Sequence, residues 1–124
     1  MKLSTCAMIL ALALPLAAAA QEAIELDQTL TGRLEIGDQT TDTGQFQDLY
    51  TFSAASGQRV RIHVHSDELD TVLSATDATG ATVENDDYGS IRDSRVEITA
   101  GADGPVLIAV GAYRQGSTGS YVIT

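Results

Sequence analysis

Arg59-Val60-Arg61-Ile62-His63-Val64-His65 alternates charged or ring-bearing polar residues with β-branched apolar ones at every second position. A period of two buries one face of a strand and leaves the other in water, which a helix of 3.6 residues per turn cannot do. The same beat returns in Arg95–Ala100, where Val96, Ile98 and Ala100 alternate with Arg95, Glu97 and Thr99. Tyr50, Phe52 and Ala54 share one face, as do Val106, Ile108 and Val110. Glycines recur between these runs, from Gly32 through Gly57, Gly80, Gly89 and Gly101 to Gly119. Turn signals about every ten residues with no helical window predict an all-β, single antiparallel β-sandwich of about eight short strands. The expected strands lie near 29–36, 46–54, 58–66, 69–76, 80–85, 93–100, 105–112 and 119–124.

Residues 1–20 belong to a different kind of sequence. Lys2 precedes an apolar run, Cys6 to Leu14, that is too short to span a bilayer; Pro15 and Ala17-Ala18-Ala19-Ala20 follow. That order reads as a secretory signal peptide cut after Ala20. It predicts export to the periplasm or the exterior, with no membrane span in the mature protein. Removing it takes away the only lysine and the only cysteine and leaves every acid in place. A thiol-free mature chain suits an oxidising compartment. Residues 21–28 form a lead-in segment, a short strand or an arm, and residues 29–124 form the domain.

With 17 Asp+Glu against 7 Lys+Arg, a net charge of −10 argues against a nucleic-acid binder, which needs a basic face, and against electrostatic docking on anionic lipid. One cysteine excludes a disulfide framework. The chain lacks the nucleophile elbow, the His-Glu-x-x-His helix, the phosphate-binding loop and the dinucleotide glycines. The expectation is a non-enzyme.

The densest chemistry is acidic. Glu84, Asn85, Asp86, Asp87 and Asp93 surround a turn at Gly89, and Asp70 and Asp77 flank the preceding strand. Calcium takes six to eight hard oxygen ligands, and Asp70, Asn85, Asp86, Asp87 and Asp93 are the candidate set. The other reading needs no metal, because Asp and Asn cap turns by accepting bonds from nearby amides. His63 and His65 point to one side of their strand and can chelate a metal with Asp67, or simply pair with acids on the adjacent strand. Tyr88, Tyr113 and Arg114 are of the residue types that anchor interfaces.

Several stretches, in order, resemble the bacterial pre-peptidase C-terminal domain. They are Leu30-Thr31-Gly32-Arg33-Leu34 with Gly37-Asp38, then Gln47 to Phe52, then Ala55-Ser56-Gly57-Gln58-Arg59-Val60. Leu69-Asp70-Thr71-Val72-Leu73, Asp77, Gly80, Asn85-Asp86-Asp87 and Ser94-Arg95-Val96 follow, then Gly104 to Val110 and Gly119-Ser120-Tyr121. The resemblance implies a jelly-roll-like sandwich and a non-catalytic accessory or binding module. It also implies calcium, which several relatives carry, and a protein or polysaccharide surface as partner, as clostridial relatives bind collagen. The family pattern usually has a tyrosine where Leu107 stands beside Val106. The alternative is a structural envelope protein serving as a separately encoded accessory domain for a secreted peptidase.

Overall fold

The computed structural model describes residues 21–124, so the signal-peptide expectation lies outside the described residues. Ten strands pack as two sheets. The first holds β1 (Gln21–Ala23), β3 (Gln39–Thr40), β4 (Phe46–Ala54), β6 (Thr71–Thr76), β7 (Thr82–Asn85) and β9 (Gly104–Ala112), in the order β1-β4-β9-β6-β7 with β3 also on β4. The second orders β2 (Leu30–Leu34), β10 (Gly119–Ile123), β5 (Arg59–His65) and β8 (Asp93–Thr99) as β2-β10-β5-β8. All eight expected strands are present, and none of the described residues is helical.

The two extra strands are short and carry no alternation. β3 spans two polar residues and pairs with β4 across a turn in which Gly44 N donates to Thr41 O. The lead-in becomes β1, parallel to β4, a departure from purely antiparallel pairing. It is possible because β1 and β2 lie in different sheets and need no hairpin between them. Ile24 then drops into the core.

The core is the one the alternation predicts. Val60, Ile62 and Val64 face Val96 and Ile98 within the second sheet, and Tyr50, Phe52, Val106, Ile108 and Val110 cover them from the first. Polar bonds tie the layers at two places. Thr71 and Ser94, both buried, bond through their hydroxyls at 2.7 Å. On the other flank, Tyr121 Oη donates to Asp48 Oδ2 at 2.6 Å and lies 2.5 Å from Tyr50 Oη. The Tyr121 ring sits against Gly32, where a Cβ would fall 2.3 Å from its Cζ. Only glycine lets β2 approach that ring. Burial, followed by the acids Asp38 and Glu35, pushes Asp48 up to about 6; the Tyr121 hydroxyl pulls the other way.

Candidate functional site

The acidic turn connects β7 to β8. Gly89 takes a positive φ of 78°, and the loop closes by bonds from Tyr88 N to Asp93 O and from Asp93 N to Ser90 O. Asn85 works as scaffold here. Its Oδ1 accepts from Arg95 N at 3.1 Å and its Nδ2 donates to Asp87 O at 3.3 Å, joining the edges of the two sheets.

Asp93 turns away from the other acids. It stands opposite His65 in the ladder, with Oδ1 2.5 Å from His65 Nδ1 and Oδ2 3.3 Å from His63 Nε2. His65 Nε2 also reaches Asp67 Oδ1 at 3.0 Å. Bonding to Asp93 and then Asp67 raises the His65 pKa, and the same bond lowers that of Asp93. Farther along the same face, Glu97 accepts from Arg59 at 2.7 Å, Arg61 at 2.8 Å and Arg95 at 3.1 Å, and these three hold it down at about 2. The basic stripe on β5 thus meets acids on β8, as cross-strand pairing predicts.

Asp77 is also elsewhere. It is buried in the turn after β6, where Oδ1 accepts from Thr79 N at 2.9 Å and Ala81 N at 3.1 Å and Oδ2 from Gly101 N at 2.9 Å. The Thr79 hydroxyl, the Gly101 amide and their neighbours hold it down at about 2. This is turn capping, as the metal-free reading has it.

Of the candidate ligands, Asp70, Asp86 and Asp87 remain, and Asp70 feels the charge of the other two. Burial raises the Asp70 pKa, with the charges of Asp87 and Asp86 adding to it and Arg114 opposing. Asp70 Oδ1 is buried and has no hydrogen-bond partner among the described residues. Among the described residues, no three His, Cys, Asp or Glu side chains form a preformed metal cage.

The two candidate aromatics differ. Tyr88 packs from its loop onto the β5–β8 ladder: Arg95 lies over the ring at 4.8 Å and donates to its hydroxyl at 2.5 Å, and His63 meets it edge-on. Tyr113 stays open, 61% exposed, above a groove of about 500 Å³ on the outer face of the first sheet. Motif reading passes over that groove because its floor carries no reactive group. The signal available was the outward series Leu107, Ala109, Gly111, which shrinks along one strand.

No protein-family model matches the chain, and no curated protein matches it. Among solved structures it is similar to the crystal structure of the pre-peptidase C-terminal domain of collagenase from Bacillus anthracis. The two share 21% identity with a TM-score of 0.64, over 84% of this chain and 92% of that one. The chain has the pre-peptidase C-terminal β-sandwich fold.

Proposed function

We propose that this chain is an exported, non-catalytic accessory module that binds a protein or polysaccharide surface. The observation that carries this reading is its likeness, over most of both chains, to a domain that belongs to a collagenase. A fold alone does not fix a function; the exposed Tyr113 and the groove beneath it add a surface suited to binding. The same likeness favours a separately encoded secreted peptidase as one such partner. The test is a hydrolase panel on the purified exported protein, together with saturable capture of a secreted peptidase or co-sedimentation with insoluble polysaccharide. Turnover of any substrate would overturn the non-catalytic reading.

A second reading concerns calcium, and the orphaned Asp70 Oδ1 favours it. The donor chemistry fits a hard cation, but the set narrows to Asp70, Asp86 and Asp87, because Asp93 is engaged by histidines and Asn85 by the turn. Carbonyls and water would supply the remaining oxygens. Binding to the native state alone adds about 2.7 kcal/mol at a hundredfold excess over Kd, or about 10–20 °C in Tm for a domain this small. Melting in EGTA, calcium, magnesium and sodium, repeated with Asp86→Asn/Asp87→Asn, tests it. A calcium effect no larger than that of sodium at matched ionic strength removes the metal.

A further inference from the structure

The groove on the outer face has a definite construction. Strand register places Gln47, Gly111 and Val72 in one row across β4, β9 and β6, and Leu49, Ala109, Ser74 and Glu84 in the next. With no side chain at Gly111 and one methyl at Ala109, the middle strand becomes a trough between taller neighbours. A glycine inside a strand marks a place where another backbone can come close. One wall is the β3–β4 turn, where Gln45 Nε2 donates to Tyr113 O at 3.3 Å. The other is Tyr113, whose own N donates to Asp70 O at 2.8 Å. The ring is therefore mounted on backbone held from both sides while its face is free.

Beyond Tyr113 the trough runs into a second pocket of about 310 Å³ that shares Val72, Glu84 and Tyr113 and adds Asn85 and Asp86. No arginine lines either part. Among the described residues, Glu84 and Asp86 make no ion pair and no side-chain hydrogen bond, in contrast to Glu97, which has three arginines. Arg114 lies on the opposite side of the loop, beside Asp70.

We propose that this groove binds an extended basic segment of a partner protein, with one lysine or arginine seated between the Tyr113 ring and the carboxylates of Glu84 and Asp86. The proposal rests on the binding-module reading and names the chemistry of its partner. Charge complementarity argues for it. The chain carries a net charge of −10, which draws cations toward it, and two uncompensated acids stand where an aliphatic stem can lie on Val72 and a cation can face an aromatic ring. A peptide backbone fits the glycine and alanine floor, with Gln47 and Thr43 as hydrogen-bonding walls. A neutral glycan would leave both acids unused and would find a single ring to stack on, at one end.

The test uses the purified exported protein and a short fluorescein-labelled peptide alternating serine and lysine, read by anisotropy at ~0.15 M salt. Saturable binding is expected. It should weaken about tenfold or more in Glu84→Gln/Asp86→Asn and in Tyr113→Ala, roughly the loss of one good anchor. The pair Glu25→Gln/Asp27→Asn removes the same charge from another surface and should change binding less than about twofold, as for a remote screened charge. Melting curves confirm that these exposed substitutions leave the domain folded. Equal losses in both double variants would reduce the effect to general attraction and overturn the proposal, as would the absence of saturable binding. Cellohexaose shifting the Ala109 and Gly111 amide resonances, with no shift from the peptide, would replace it with a glycan site and leave the binding-module reading standing. Turnover in the hydrolase panel would strike that reading instead.

Discussion

Asp48→Asn should make the protein more stable at neutral pH, although it removes a hydrogen-bonded carboxylate from between the sheets. Asp48 holds its proton up to about pH 6, first because burial penalises its charge and then because Asp38 and Glu35 lie near; the bond from Tyr121 offsets part of this. A carboxyl whose folded pKa is raised stabilises the fold at low pH. That contribution is full below the unfolded value of 3.8 and is lost as pH rises through 6. A shift of about two units corresponds to about 3 kcal/mol, and solvent around this half-exposed group reduces it to about 1–2 kcal/mol. Asparagine keeps an oxygen for the Tyr121 hydroxyl and carries no charge, so the variant avoids the cost above pH 6. Its melting temperature at pH 7.5 should rise by about 5–10 °C, and the fall between pH 4 and 6 should flatten. The assay is thermal unfolding by circular dichroism from pH 3.5 to 8. An Asp48→Asn protein that melts lower than wild type at pH 7.5, or that keeps the slope, would refute the reasoning.

Other consequences can be checked in the same way. Ile62→Asp puts a charge in the core and should cost several kcal/mol, whereas Arg61→Asp, which breaks one of three bonds to Glu97 and opposes it with a like charge, should cost about 1 kcal/mol; equal melting temperatures would mean the strand register is wrong. Gly32→Ala drives a methyl into the fixed Tyr121 ring and should cost about 2–3 kcal/mol in denaturant titration; an unchanged midpoint would disprove the close approach. Asp77→Ala strips the caps from Thr79, Ala81 and Gly101 and should lower the melting temperature by about 5–10 °C. In the wild type, the stability Asp77 contributes is present above its unfolded value of 3.8 and fades as pH falls toward about 2. An acid limb no shallower in Asp77→Ala than in wild type would count against that assignment.

The strands and the core were legible in the sequence because both depend on periodicity. Residues two apart share a face whatever the neighbouring strand is, so Val60, Ile62 and Val64 could be placed inside without knowing that β8 lies beside them. The ring-to-backbone contact at Gly32 and the parallel seating of β1 depend on which strands meet, and no local pattern encodes that. The candidate calcium ligands show the same limit. Four of the five cluster around one turn and Asp70 flanks the strand before it, and strand pairing sends them to different partners. Asp93 faces β5 because it stands opposite His65 in the ladder, and Asn85 is taken by the Arg95 amide, while Asp70 feels the charges of Asp87 and Asp86. Among the described residues, Glu84 and Asp86 lack counter-ions for a related reason: the arginines of β5 and β8 are committed to Glu97 and to the Tyr88 ring, on the other sheet. Local alternation decides which side of a strand is wet, since it follows from backbone geometry alone. Which charges meet across that wet surface is set by long-range register, and so only the tertiary structure decides it.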